Sequence, residues 1–163
     1  FKVLEESGSA KIIQSKDEED NENIWKARRS SYACVTKLRP NVATEDVVVN
    51  RSKILPLIKG IQKICKKYNM IVCIMGHAGD GNIHPNFALD LSNKEEKENF
   101  ELVKKELFEL AISLGGSLSG EHGIGSEKKP YLEMALNPTA LKYMKEIKKL
   151  FDPNNIMNQG KVF

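Results

Sequence analysis

The three histidines of this sequence all lie in two short glycine-rich segments. The first glycine-rich segment is residues 76–86, with His77 and His84, and the second is residues 115–125, with Glu121 and His122. Glycine breaks helices and permits tight turns, so both segments are predicted to be loops that gather polar side chains. Imidazoles and carboxylates bind zinc, and histidine is the side chain that titrates near neutral pH. The two segments therefore indicate a metal site or an acid–base site.

Two imidazoles and one carboxylate form a common catalytic zinc set that leaves one position open for substrate. If the two segments meet, His77, His84 and Glu121 would bind the metal, and His122 would remain free to act as a base. Asp80 is a nearer carboxylate in sequence, but an aspartate in a turn often bonds its own backbone.

Other interpretations of these segments stay open at this point. A histidine in a glycine-rich turn is more often structural than a ligand, and a glycine-rich loop can also bind phosphate at a helix N-terminus. The lysine of a P-loop and the dinucleotide fingerprint are both missing. Lys128 and Lys129, just after the second segment, are interpreted as a solvated pair.

The periodicity of apolar residues predicts the elements that must position these groups. Helices are predicted over 17–38, 53–68, 94–114 and 138–151, and strands over 10–14, 46–50, 70–75 and 87–91. The last two strands would form a hairpin that carries the first glycine-rich segment. This order predicts an α+β fold, close to ferredoxin-like, in which an antiparallel sheet has its helices mainly on one face.

Length and composition restrict the class of protein. The sequence has 163 residues, enough for one domain, and its 25 basic and 22 acidic residues do not indicate a nucleic-acid partner. Its three cysteines have no paired spacing, which favours a reduced, cytoplasmic setting. No signal peptide is expected, and the sequence contains no apolar run long enough to cross a membrane. The sequence opens without methionine, so we expect it to be a fragment of a longer protein.

Four motifs together resemble a known family. They are residues 76–84, residues 116–125 followed by Lys128, the closing stretch 150–161, and the Trp-x-x-Arg of residues 25–28. They resemble the C-terminal domain of FAD-linked 2-hydroxy acid dehydrogenases, in the vanillyl-alcohol oxidase superfamily. This family includes the flavoprotein of glycolate oxidase, D-lactate dehydrogenases and D-2-hydroxyglutarate dehydrogenases.

The resemblance implies that residues 1–163 form a cap or substrate domain with a C-terminal helical extension, and that a separate N-terminal domain binds FAD. It also implies a role for each of seven residues. These are His77, His84 and Glu121 as ligands of zinc or a related divalent ion, His122 as the catalytic base, Arg28 and Asn86 as substrate-binding residues, and Asn158 as a residue near the flavin.

The resemblance also indicates the substrate, because one family residue is missing. The 2-hydroxyglutarate enzymes carry a substrate-binding lysine before the aspartate of a strand, and residues 43–46 contain none. We therefore expect a small D-2-hydroxy acid, lactate ahead of glycolate and both ahead of 2-hydroxyglutarate, unless Lys37 or Arg39 substitutes. Gln159, where the family usually has proline, is a minor departure.

Further partners are expected in addition to the substrate and the FAD domain. They are an electron-transfer protein, through which the protein would associate with a membrane, and no nucleic acid. The alternative from another functional class is a standalone module that binds metal or a partner without catalysis of its own.

Overall fold

The computed structural model describes residues 2–8 and 11–163. Within them lie six helices, four strands and two short 3-10 turns. The helices are α1 (Lys2–Glu6), α2 (Glu18–Val35), α3 (Ile54–Lys67), α4 (Lys94–Ser113), α5 (Leu132–Ala135) and α6 (Pro138–Phe151). The strands are β1 (Asn41–Thr44), β2 (Val47–Val48), β3 (Ile71–His77) and β4 (Asn82–Leu89), and the turns are Arg51–Lys53 and Lys129–Tyr131.

The sheet is built around β4, and all its pairings are antiparallel. Strand β3 pairs with β4 along its length, from Ile71 opposite Ala88 to His77 opposite Asn82. The other side of β4 pairs first with β1 and then with β2, which follow one another along the same edge. An isolated bridge joins β2 to Ser117 beyond α4. The order of strands and helices is therefore that of a ferredoxin-like unit, in which the last strand is reduced to the single bridge at Ser117. The predicted α+β class is confirmed.

Helices α3 and α4 cover one face of the sheet and form the core with it. Leu57 and Ile61 of α3 and Leu107 of α4 are buried against Phe87 and Leu89 of β4. Burying each such side chain contributes about 1.5–3 kcal/mol. Since successive strand residues point to opposite faces, this arrangement leaves the even-numbered residues of β4 on the face away from α3 and α4.

Helix α2 reaches this second face at one contact. Its Ser31 Oγ is 3.9 Å from the sulfur of Met75, which is the cross-strand neighbour of His84. Residues directly opposite one another in an antiparallel pair share a face of the sheet. Helix α2 therefore touches the face that carries His84, although Val35 is its only buried residue.

The structure corrects four details of the strand prediction. The strand predicted over 87–91 is β4, Asn82–Leu89, so His84 lies within a strand and not in a loop. Residues 11–14 form no strand, and Ala10 lies outside the described residues. The strand predicted over 46–50 is reduced to Val47–Val48, because the preceding pair Glu45 and Asp46 interrupts the edge. Strand β1 was not predicted at all. No helix in the described ranges combines the length and apolar content needed to cross a membrane.

Candidate metal and acid–base site

The β3–β4 hairpin turn places the first glycine-rich segment. The N–H groups of Asp80 and Gly81 both donate to the carbonyl oxygen of His77 at 3.0 Å and close the turn. Gly81 has a φ of +78°, and its carbonyl accepts from the N–H of Val49 at 3.0 Å. A Cβ on Gly81 would overlap the carbonyl oxygen of Val49, so only glycine fits here. The hairpin is thereby held against the chain just after β2.

A single buried carboxylate places the second glycine-rich segment. Asp46, which has no exposed surface, accepts a hydrogen bond from Ser119 Oγ at 2.5 Å. It also accepts from the backbone N–H groups of Gly120, Glu121 and His122 at 3.0, 3.1 and 2.9 Å. Burial alone would raise the pKa of Asp46, but these hydrogen bonds and the charge of Lys128 lower it to about 2. The segment is thus held by a carboxylate that stays ionised.

Lys128 lies beneath the same loop, and its position corrects the interpretation as half of a solvated pair. It is 5% exposed, and its Nζ donates to the carbonyl oxygens of Asp46 at 2.6 Å and Leu118 at 2.8 Å. The carboxylates of Glu45 and Asp46 each lie 3.8 Å from the ammonium. Burial lowers the pKa of Lys128 and raises that of Glu45. Acceptors from two distant stretches of chain allow this lysine to be buried.

The two anchored segments meet at one point on the sheet. Glu121 Oε1 lies 2.9 Å from His84 Nε2, 3.7 Å from His77 Nε2 and 3.8 Å from His122 Nε2. The His77 and His84 rings meet edge to face at 5.3 Å, and the His84 and His122 rings stack at 5.2 Å. The predicted convergence of the two segments is therefore observed, with His84 at its centre.

The distances within this cluster fit a divalent metal. The ligand atoms of His77, His84 and Glu121 lie within 4.8 Å of one another. Tetrahedral zinc, with bonds of about 2.0–2.2 Å, separates neighbouring ligand atoms by about 3.3–3.6 Å, and the distances from Glu121 to the two imidazoles bracket that range.

Two buried polar atoms at the same place are incompletely satisfied. Of the described residues, His84 Nδ1 and Asn82 Oδ1 are the buried side-chain atoms without a hydrogen-bond partner. Leaving such a group unpaired costs about 1–3 kcal/mol. Native proteins carry few such groups, and one explanation for them is a missing water or ion. The unpaired nitrogen of His84 is not the one that faces Glu121, so the support for a metal site comes from the donor set of His77, His84 and Glu121.

Comparison with known proteins identifies the family. Residues 1–162 match the family described as FAD linked oxidases, C-terminal domain. The chain belongs to this family. It is 44% identical to the glycolate oxidase subunit GlcD of Bacillus subtilis over 161 residues, which are 99% of the chain and 34% of that protein.

Two further relatives of this oxidase domain carry other names. It is 33% identical to the mitochondrial D-lactate dehydrogenase [cytochrome] of Arabidopsis thaliana, covering 98% of the chain and 29% of that protein. It is also 35% identical to the D-2-hydroxyglutarate dehydrogenase of Stutzerimonas stutzeri, covering 93% of the chain and 33% of that protein. The chain thus spans about a third of the length of these curated relatives.

Asn86 of this oxidase domain lies on the same face of the sheet as His84, but its amide is already engaged. Its Nδ2 donates to the carbonyl oxygens of Cys73 and His84 at 3.1 and 2.9 Å. Its Oδ1 accepts from Thr44 Oγ1 at 2.8 Å, and the residue is 2% exposed. One acceptor position on Oδ1 therefore remains for any further partner.

The other two expected site residues, Arg28 and Asn158, form no hydrogen bond or ion pair with the histidine cluster in the described part of the chain, and their roles stay predictions. Arg28 lies exposed on α2, and its side chain makes no hydrogen bond or ion pair with any other described residue. Asn158 lies exposed in the C-terminal tail with a φ of +48°, and its carbonyl accepts from the N–H of Lys161.

The tail of this oxidase domain returns to the second glycine-rich segment. The N–H of Val162 donates to the carbonyl oxygen of Gly125 at 2.8 Å. This contact helps to close a cleft of about 390 Å³ that His122, Thr44 and Lys161 line. The cleft places a small polar space directly beside the histidine cluster.

Proposed function

We propose that this chain is the substrate- and metal-binding domain of a flavin-dependent dehydrogenase that oxidises a small D-2-hydroxy acid to the 2-oxo acid. One observation carries the proposal: the cluster of His77, His84 and Glu121 with His122 stacked on His84. Membership of the FAD-linked oxidase family and the names of the relatives support it.

The cluster supplies two different functions. His77, His84 and Glu121 would hold a divalent ion, zinc being the expected one, and a bound ion would polarise the substrate hydroxyl. His122 is next to the ligand set but is not needed to complete it. Its imidazole is therefore assigned as the base that takes the hydroxyl proton.

The substrate carboxylate requires a cationic partner. Arg28 offers a forked guanidinium with five donors, and α2 touches the face of the sheet that carries His84. Asn86, with one acceptor position left, would contact the same substrate. FAD, bound mainly by an N-terminal domain and approached by Asn158, would accept the hydride.

Residues 43–46 and the paired Arg39 offer no free cation for a second substrate carboxylate, although Lys161 lines the cleft beside His122. Ala43 contacts the hydrophobic core, while Thr44 faces Asn86 with a neutral hydroxyl. Arg39 forms an ion pair with Glu96 at 3.2 Å, near the end of β4 remote from His84. A second carboxylate left unpaired on burial costs several kcal/mol, which supports lactate or glycolate over 2-hydroxyglutarate.

The test is substrate reduction of the flavin in the full-length protein under anaerobic conditions. D-lactate, glycolate and D-2-hydroxyglutarate are compared by the rate of flavin bleaching and by kcat/KM. We expect the two monocarboxylates to have the higher kcat/KM. A higher value for 2-hydroxyglutarate contradicts the charge argument, and no reduction by any of the three contradicts the function. A cytoplasmic location and an electron-transfer protein as the acceptor stay predictions.

A further inference from the structure

Asp46 is a buried charge that the proposed reaction does not use. Its carboxylate accepts hydrogen bonds from one hydroxyl and three consecutive backbone N–H groups, those of Gly120, Glu121 and His122. Lys128 joins the backbone of Asp46 to that of Leu118 at the start of the same loop. The carboxylate of Asp46 and the ammonium of Lys128 are thus two buried charges that both bond the loop of residues 118–122.

We propose that Asp46 is a positioning residue that sets the places of Glu121 and His122, with Lys128 as its buried support. The inference rests on the proposed function, in which Glu121 binds the metal and His122 is the base. Asp46 has no exposed surface, and both of its carboxylate oxygens already accept hydrogen bonds from this loop. We infer that it acts through the backbone N–H groups of Glu121 and His122, which donate to its carboxylate.

The exposure of the side chains supports this assignment. The Glu121 and His122 side chains are 51% and 48% exposed, and the contacts described for them are with the other members of the histidine cluster. The backbone from which they project therefore contributes to their positions, and Asp46 bonds that backbone at both residues.

A close approach fixes the loop from its other side. A Cβ on Gly120 would come within 2.5 Å of Asn82 Oδ1, so the loop lies directly against the first residue of β4. Ser119 Oγ, which donates to Asp46, also accepts from the N–H of Gly123 at 2.7 Å. The loop is thus held between the first residue of β4 and the carboxylate, and removing the carboxylate frees one side.

The experiment uses the full-length flavoprotein with three substitutions. Asp46→Asn keeps the shape of the side chain, but it replaces one acceptor oxygen by a donor amide that faces N–H groups. Asp90→Asn is the matched control, because Asp90 bonds the N–H and Oγ of Ser92 in a turn at the far end of β4. Glu121→Gln tests the metal site itself.

The principal measurement is the dissociation constant for Zn²⁺ by competition with a chromophoric chelator, at a temperature where all variants are folded. Substitution of groups that orient metal ligands typically costs 10–100-fold in affinity. We expect Asp46→Asn to weaken zinc binding by at least about 10-fold and to lower kcat more than it changes KM. Asp90→Asn should leave the dissociation constant within about twofold, whatever it does to the melting temperature.

The outcomes separate this inference from the proposed function. If Glu121→Gln loses zinc and Asp46→Asn binds it like the unsubstituted protein, the positioning role is wrong and the metal site stands. If Glu121→Gln binds zinc normally, the metal site is wrong. The rate of flavin reduction by substrate in Asp46→Asn then tests whether Asp46 positions His122: a lower rate supports that role, and an unchanged rate contradicts it.

A second variant covers the case in which Asp46→Asn does not fold. Ser119→Ala removes one of the donors to Asp46 and the acceptor for Gly123, and leaves the carboxylate in place. It should weaken zinc binding severalfold, and an unchanged dissociation constant would overturn the positioning role.

Discussion

Two glycines of one hairpin turn should respond oppositely to the same substitution. A methyl group on Gly81 would overlap the carbonyl oxygen of Val49, at a backbone φ of +78°. A left-handed backbone costs a non-glycine residue about 1–2 kcal/mol, and overpacking adds about 1–3 kcal/mol. Separating Gly81 from Val49 also loses their hydrogen bond, about 1 kcal/mol. Gly81→Ala should therefore destabilise the hairpin by about 3–6 kcal/mol.

Gly79→Ala is the matched control in the same turn. Nothing lies within 4 Å of a Cβ built there, and Gly79 is not among the residues with positive φ. Alanine at an unstrained position stabilises by about 0.4–1 kcal/mol through the unfolded state.

Hydrogen exchange of the β3 and β4 amides measures both effects in the full-length protein. Each 1.4 kcal/mol of local stability is a tenfold change in exchange rate, so Gly81→Ala should exchange at least about 100-fold faster. Exchange in the two variants within about fivefold of each other would refute this account of the turn.

Three further results are expected. In the intact enzyme, His122→Ala should slow flavin reduction by substrate about 10²–10⁴-fold with a smaller effect on KM, and an unchanged reduction rate shows that His122 is not the base. The isolated chain should bind divalent metal weakly or not at all. In the full-length enzyme, chelation should abolish turnover and added zinc should restore it. Full activity after complete metal removal argues against the ligand set. Because burial raises the pKa of Cys65 to about 11, iodoacetamide at mildly alkaline pH should alkylate exposed Cys34 well before Cys65, as followed by mass spectrometry, and equal labelling would contradict the buried position.

Helices α3 and α4 were predicted well by periodicity, because each buries an apolar stripe in the core. Helices α2 and α6 bury one residue each, and their starts were predicted from the acidic first turn and from Asn137 before Pro138. The helix expected over 94–114 ends at Ser113, and the one expected over 138–151 has those bounds, with Pro138 at its first position. The hairpin between β3 and β4 was also predicted, since its apolar strands flank a glycine-rich turn.

The buried charged residues escaped prediction for a common reason. Glu45, Asp46 and Lys128 are charged residues that sequence patterns assign to the surface, yet all three are buried. Each of them has a partner more than seventy positions away in the sequence, such as His122, which is 76 positions after Asp46, and no local pattern carries that information. Arg28 was chosen by resemblance alone, and within the described chain nothing forms a hydrogen bond or ion pair with its guanidinium.

The anchoring of the second loop has a consequence for the order in which the proposed metal ion would be acquired. The hairpin turn closes through bonds between near neighbours, whereas the bonds to Asp46 span 73–76 residues. Contacts of large sequence separation form late, because loop closure must precede them. A chain still in synthesis therefore presents the two hairpin imidazoles before the carboxylate that completes the set. Two ligands hold a divalent ion poorly, so uptake of the proposed metal would follow the completion of folding.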